Sequence, residues 1–476
     1  MTDCTREKYT FQGLSGGPRG KREVEGRFDG GAITSDGGAM LLREADKRLG
    51  ILKMFTACFT DHRRPEWIER EVYELLAQRL YGLALGYEDL NDHDTLRHDP
   101  LLAVAAEKAD PTGQNRRKAR DRGKALAGKS TLNRLELTPP DATSASRYKK
   151  IVADTEKIDR AFVDVFLAAH ATAPKRIVLD LDATDNPLHG QQEGRFFNGY
   201  YDCFCYLPLY IFCDDHLLCA RLRPADQDAS AGTIPELERI VEQIRAAWPK
   251  VEIAVRGDSG FCREEIMAWC ETNNVHYIFG LARNPRLLEA IVTQMKKAMK
   301  RYAKTGQPAR VYRDFRYKTL KTWSRRRRVV GKAEYLPKGR NPRFVVTSYG
   351  KKDYDAAALY EKEYCARGDM ENRIKEQQLY LFADSASAHL LRTNQLRLYF
   401  SSMTYVLLSA FRRLALAGTE LAKAQCETIR VKLLKIGGLI QITARRVYLS
   451  FASACPFQSV FKAAYDNLQR LPLSSA

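Results

Sequence analysis

The chain predicts an α/β protein built on a mixed sheet, with a mainly helical region ahead of it. Three observations carry that expectation. Between residues 35 and 86, apolar side chains recur largely at three- and four-residue spacing. Beyond Pro174 the pattern changes to strand, hairpin, helix, strand, helix, strand. A length of 476 residues suggests about three structural units, with cores that need no disulfide or metal staple.

Residues 1–30 are Gly-rich and charged and predict a flexible arm. Residues 31–170 follow as the helical region. Ile68, Val72, Leu75, Leu76, Leu80 and Leu83 mark one helical face, and Asp61 and Pro65 punctuate two helices. Residues 87–100 are crowded with side chains that compete for backbone hydrogen bonds, which makes them turns. Residues 171–283 hold the first part of the core. Strands are expected at 177–182, 203–212, 217–222, 251–255 and 276–281, with Asp214-Asp215 as a hairpin turn, and helices at 234–248 and 264–270. Residues 284–350 open with a helix near 285–304 and continue as a basic, β-rich antiparallel insertion, with strands at 311–317, 329–335 and 343–349. Residues 351–418 complete the core with a long helix at 355–378 and a very apolar one at 389–417. The region 419–476 shows no clear period.

The formal net charge is +19, and it is concentrated. Residues 296–332 contain 15 Lys/Arg and one acid, Asp314; residues 114–134 contain 8 Lys/Arg and one acid, Asp121. A solvated face normally mixes both signs. Unmixed basic stretches attract polyanions, and release of counterions makes nucleic acid the natural partner. The helical region 31–170 therefore reads as a DNA-binding module. No membrane partner is expected: no apolar run approaches ~20 residues, and neither a lipidation motif nor a secretory h-region is visible. The eleven cysteines are scattered without a C-x-x-C pair, which predicts reduced thiols in a reducing, intracellular compartment.

Three acids stand out. Asp182 closes the strand Ile-Val-Leu-Asp-Leu-Asp, and Asp180 points to the same side because side chains alternate along a strand. Asp258 closes a second strand and has small neighbours, Gly257 and Gly260, that let a ligand approach the backbone. Glu371 lies on the long helix. There, Tyr364, Arg367, Glu371, Lys375 and Gln378 fall within an arc of about 80° if the helix is regular. Leu359, Ala366, Met370, Ile374 and Leu381 form the apolar stripe beside them.

The ordered triplet Asp182, Asp258, Glu371 resembles the DDE triad of cut-and-paste transposases. Tyr364-x-x-Arg367-x-x-x-Glu371 resembles the Y-R-E signature of the bacterial insertion-sequence branch. Leu-Asp-Leu-Asp-Ala-Thr (179–184), Val-Arg-Gly-Asp-Ser-Gly-Phe (255–261) and Glu-Asn-Arg-Ile-Lys-Glu (371–376) are similar to the group 1 DDE transposases. So are Gly-Tyr-Glu-Asp-Leu-Asn-Asp (86–92) and Ser-Thr-Leu-Asn-Arg-Leu-Glu (130–136), so the likeness covers about residues 30–465. One departure concerns the signature's final lysine, which is Gln378 here; Lys375 stands one turn after Glu371.

The resemblance implies a ribonuclease-H-like mixed sheet with the β-rich insertion before the last catalytic helix. It implies two Mg²⁺ (or Mn²⁺) ions held by Asp182 between them, Asp258 on one and Glu371 on the other, with Asp180 and Thr184 behind. Hard cations favour such carboxylate oxygens, and a metal pair suits phosphodiester chemistry. Arg367, Lys375 and Tyr364 would contact phosphate or sugar. In the insertion, Trp323 is expected either to stack an unpaired base or to pack the insertion's own core, and Arg325, Arg326, Arg327 and Arg328 to bind DNA. The expected partners are double-stranded DNA, at element ends and target, and a second copy in a homodimeric synaptic complex. Two other functions remain open at this point: a non-catalytic DNA-binding regulator, and a ribonuclease-H-like nuclease that only hydrolyses.

Overall fold

The computed structural model describes residues 7–14 and 22–473. The chain divides into two compact units. One comprises Met1–Leu52, Arg63–Arg134 and Ala410–Ala476, the other Lys53–His62 and Leu135–Ser409.

The second unit is built on a nine-stranded mixed sheet. Its strands are β1 (Arg176–Ala183), β2 (Leu209–Cys213), β3 (His216–Arg221), β4 (Glu252–Gly257), β5 (His276–Leu281), β6 (Ala309–Tyr317), β7 (Arg327–Leu336), β8 (Gly339–Arg340) and β9 (Arg343–Thr347). Their spatial order is β3-β2-β1-β4-β5-β9-β7-β6, with the short β8 paired to β7. β1, β4 and β5 run parallel, and the pairs on either side of them are antiparallel. The expected insertion strands are antiparallel, but they continue the core sheet edge-on through β5 and β9. The expected strand at 203–212 is interrupted. Cys203–Tyr206 joins a separate three-stranded sheet, and β2 begins only after Pro208, which has no N–H to donate to a ladder.

Alternation along β1 assigns its two faces. Ile177, Leu179 and Leu181 enter the main hydrophobic cluster. The same cluster takes residues from α1 (Thr155–Ala168), α2 (Thr233–Ala247) and α3 (Glu264–Thr272). Val178 packs on the opposite face with Leu359, Tyr360 and Tyr364. Asp180 and Asp182 share the side of Val178. The helix expected at 285–304 forms in two pieces, Pro285–Ala290 and α4 (Val292–Thr305). The long helix expected at 355–378 is irregular: Ala356–Ala358 is α, Leu359–Tyr364 a π turn, Cys365–Arg367 a 3₁₀ turn, and α5 (Gly368–Leu381) is α again. Ala366, expected on the apolar stripe, is exposed, while Leu359, Met370, Ile374 and Leu381 are buried.

In the first unit, the residues without clear period find their place. Gly438–Ile442 and Val447–Phe451 make a three-stranded sheet with Ala32–Thr34, and Lys435 pairs with Asp36 at 2.7 Å. The N-terminal and C-terminal segments therefore fold as one unit, which no local pattern announces. Within the expected arm, Tyr9–Leu14 and Arg22–Gly26 pair as antiparallel strands; residues 1–6 and 15–21 of that arm lie outside the described residues. Among the described residues, no helix is long and apolar enough to cross a membrane. The ten described cysteines are free thiols.

A buried ion pair ties β1 to β4. Arg256 and Asp180 are register partners on these strands, and the guanidinium donates to both carboxylate oxygens at 2.5 and 2.7 Å. Arg256 also donates to the Glu363 carbonyl, which anchors the irregular helix to the sheet. Removing one member of such a pair leaves a buried charge alone. Asp180→Asn is expected to lower unfolding free energy in urea by about 3–5 kcal/mol. An Asp180→Leu/Arg256→Met double variant should lose less than that single variant.

Candidate active site

Parallel neighbours β1 and β4 end side by side, Gly257 pairing with Leu181. Asp182 sits near the end of β1 and Asp258 is the first residue after β4, so both acids emerge at the carboxyl ends of adjacent strands. The Asp258 carboxylate accepts the Gly260 N–H at 2.7 Å, which holds the turn. Glu371 lies in the first turn of α5. Arg367, at the preceding 3₁₀ turn, bridges the other two elements: its Nη2 is 2.5 Å from Glu371 Oε1 and its Nη1 is 3.5 Å from Asp182 Oδ1.

The Asp182 carboxyl is strongly perturbed. Burial pushes it up to about 7; Arg367 opposes the rise, while Asp258 and Glu371 add to it. Asp258 and Glu371 are thus each within electrostatic reach of Asp182. Among the described residues, however, no three His, Cys, Asp or Glu side chains stand close enough to hold a metal ion, and the Arg367 guanidinium bridges Asp182 and Glu371. The donor set is of the kind a hard divalent cation takes, and Asp182 has the crowded, desolvated environment that a cation relieves.

The remaining residues named by the sequence separate into two groups. Tyr364 lies at the site: burial pushes its phenol up, Arg367 opposes this and Asp258 adds to it. Asp180 supports the site through Arg256. Thr184 is half-buried just past β1. Lys375 is exposed on α5, and Gln378 donates to the Asp185 carbonyl at 3.0 Å.

The insertion requires correction. Trp323 is only 4% exposed within the main core cluster, edge-on to Tyr317 and under the Arg327 guanidinium, so it presents no face to an unpaired base. Arg327 is 2% exposed and pairs with Glu264 and Glu271. Arg328 is buried against Asp314 and the carbonyls of Tyr349, Gly350 and Tyr354. Arg327 ties β7 to α3 and Arg328 ties it to β6, so both guanidiniums are engaged within the protein. Arg325 is exposed, paired with Glu271 at 2.6 Å, and Arg326 is exposed. β7 is buried on both faces at its start, so Arg327 and Arg328 both lie inside, which a run of four identical residues conceals.

Two site residues escape sequence reasoning. Tyr201 donates to the Ala183 carbonyl at 3.1 Å, and its phenol is pushed up by burial and then by Asp185 and Asp182. It lies in a turn with no period to flag it. Gly280 on β5 allows the close approach of Tyr364. A Cβ there would stand 2.5 Å from the Tyr364 hydroxyl and 3.1 Å from the Ser259 nitrogen. Only the fold makes that glycine obligatory.

A family model described as transposase DDE domain group 1 matches residues 17–473. Among solved structures, the cryo-EM structure of a piggyBac transposase synaptic complex with hairpin DNA is similar at 11% identity. That likeness covers 92% of this chain and 86% of that one, with a TM-score of 0.40. No curated protein matches the chain.

Two expectations follow from this geometry. The folded Asp182 carboxyl titrates near about 7 against an ordinary 3.8, so the folded state keeps a proton that the unfolded chain releases. Its contribution to stability therefore falls as pH rises between those values, by at most roughly 4 kcal/mol. In chelator-treated protein, Asp182→Asn should raise the melting temperature at pH 8 and leave it unchanged at pH 4. Gly280→Ala should cost about 1–3 kcal/mol by overpacking, measured by denaturant unfolding, and Tyr364→Phe in the same chain should recover part of the loss.

Proposed function

Because the chain belongs to the transposase DDE domain group 1 family, we propose that it serves a bacterial insertion sequence of the Y-R-E branch. In this reading it binds the terminal inverted repeats of its own element, cuts the DNA there and joins the freed 3′-OH ends to a target by a cut-and-paste route. The observation that carries this reading is the convergence of Asp182, Asp258 and Glu371, from two strand ends and one helix, around the single guanidinium of Arg367. A protein that only binds DNA has no use for such crowding, since a buried carboxyl beside two others lowers stability at neutral pH. The ribonuclease-H-like reading of the core is supported by the parallel β1 and β4, each ending in one of the acids.

Asp182, Asp258 and Glu371 would hold two Mg²⁺ or Mn²⁺ ions, Asp182 shared between them, and the bound ions would activate the attacking oxygen and stabilise the leaving one. The protein's own groups do the rest. With its carboxyl pushed up to about 7, Asp182 is partly protonated at neutral pH in the free protein and must be fully deprotonated to act as a ligand. Arg367 balances Asp182 and Glu371 in the free site, and its planar fork suits the phosphate that a DNA strand brings. The half-buried Tyr364, its hydroxyl set over Gly280, would orient that phosphate or its sugar. The exposed Lys375, Arg325 and Arg326 would contact the backbone further along. Residues 31–170 would read the element's ends, and a homodimer would pair two ends, in the nucleoid of a bacterial cytoplasm.

The test uses purified full-length chain and DNA carrying the inverted repeats that flank its gene. Asp182→Asn, Asp258→Asn and Glu371→Gln should each reduce Mg²⁺-dependent strand cleavage by more than about a hundredfold. Binding of the same DNA in a mobility-shift assay should change little. Full cleavage by the Glu371→Gln protein would overturn the site, and chelation of the metal should stop cutting without releasing DNA.

A further inference from the structure

The chain's basic charge is divided between two kinds of residue. Arg327, Arg328 and Lys332 in the insertion are buried in ion pairs. The helix α4 is different. Its sequence, VTQMKKAMKRYAKT, contains no acid, and Lys296, Lys297, Lys300, Arg301 and Lys304 are all exposed. Among the described residues none of the five pairs with a carboxylate; Arg301 reaches only the Arg310 carbonyl. At about 100° per residue they occupy an arc of about 140°, over roughly 12 Å of helix axis. The other side of the helix is fixed to the sheet: Met295 and Ala298 are buried, Met299 packs against the main cluster, and the Tyr302 ring lies 5.0 Å from Tyr335 on β7.

Lys296 and Lys300, Lys297 and Arg301, and Lys300 and Lys304 are like-charge pairs at i,i+4, each of which destabilises an isolated helix. An ordinary solvated face relieves such repulsion with interspersed acids, and this one does not. We propose that the exposed face of α4 is a phosphate-tracking surface, on which Lys296, Lys297, Lys300, Arg301 and Lys304 grip the backbone of duplex DNA without reading its sequence. Charge complementarity selects the occupant, because a polyanion relieves the repulsion that the fold leaves uncompensated. The proposal rests on the reading of the protein as a DNA-acting transposase and adds a surface that its acid site does not supply.

The experiment measures binding of a fluorescein-labelled duplex of about 30 base pairs of arbitrary sequence by anisotropy, at salt between about 50 and 200 mM. The protein is the full chain with Lys296→Gln, Lys300→Gln and Lys304→Gln combined. Each phosphate that the variant leaves without a cation should flatten the plot of log affinity against log salt by about 0.9, so its slope should be shallower by about two to three. The corresponding triple Lys→Arg variant should keep the wild-type slope. Glutamine removes like-charge repulsion, so the melting temperature should hold or rise; a folded variant with an unchanged slope would overturn the proposal. Loss of binding to phosphatidylserine vesicles, with the DNA slope unaltered, would reassign the surface to a membrane and overturn it equally. Failure of the wild-type chain to bind DNA at all would remove the transposase reading itself, a result distinct from failure of the variant to differ.

Discussion

The site depends on how this chain tolerates negative charge at the ends of two buried strands. Asp180 and Asp182 lie on one face of β1, Asp258 follows β4 beside them, and Glu371 comes in from a helix on that side. Unbalanced, that collection would repel itself apart. Two guanidiniums hold it. Arg256 takes Asp180 through both oxygens and also reaches the Glu363 carbonyl, fastening the helix segment to the sheet. Arg367 spans Asp182 and Glu371. The division of labour follows from burial. Arg256 and Asp180 are both nearly sealed from water and form a closed pair, whereas Glu371 keeps 42% of its side chain exposed, so that its partner can be exchanged. The first pair is closed to water and the second is open to it.

Much of this was legible in the residues, for identifiable reasons. The strand I-V-L-D-L-D alternates leucine and acid over its last four residues, and a strand with one face in a core has no freedom to turn those acids elsewhere. The same logic placed Asp258 at the end of a second strand. Illegible features were those set by contacts far apart in sequence. Residues 419–476 lack a period because part of the region is a small sheet completed by Ala32–Thr34, some four hundred residues away. Its basic neighbours left Trp323 open either to stack a base or to pack a core, and Tyr317 and Arg327 close over it. Tyr201 and Gly280 carry no pattern at all; their importance is a matter of which atoms come within a few ångströms.

Charge counting was informative in sum and misleading in detail. The stretch 296–332 is strongly basic, but its most conspicuous motif, four consecutive arginines, is half consumed by structure. Arg327 and Arg328 stand at the start of β7, where buried cations with carboxylate partners pin an extended sheet to α3 and to its neighbouring strand. A guanidinium with five donors can satisfy several acceptors at once, which makes arginine the suitable residue for such interior bracing. The lysines of α4, flexible and strongly hydrated, remain outside. The division is not by residue type alone, since Lys332 is buried against Glu334 while Arg301, Arg325 and Arg326 are exposed.

The irregular helix shows why position along the chain is a poor guide to position in the site. A regular helix from 355 to 378 would place Leu359, Ala366 and Met370 on one stripe, yet Ala366 is exposed while the other two are buried. The π turn over Leu359–Tyr364 underwinds the chain and the 3₁₀ turn over Cys365–Arg367 overwinds it, so the two departures act in opposite senses. Tyr360 and Tyr364, at i,i+4 with rings 5.5 Å apart, both pack with Leu359 towards the sheet. The 3₁₀ turn then returns Arg367 and Glu371 to the side of Asp182. Tyr364 can occupy that place only because Gly280 leaves it room, so the helix irregularity and the bare strand position are two halves of one fit. Backbone departures of this kind weaken local hydrogen bonding, and they persist where the surrounding contacts over-determine them. Here the Arg256 hydrogen bond to the Glu363 carbonyl, inside the π turn, supplies that restraint and couples the buried ion pair to the aim of the helix.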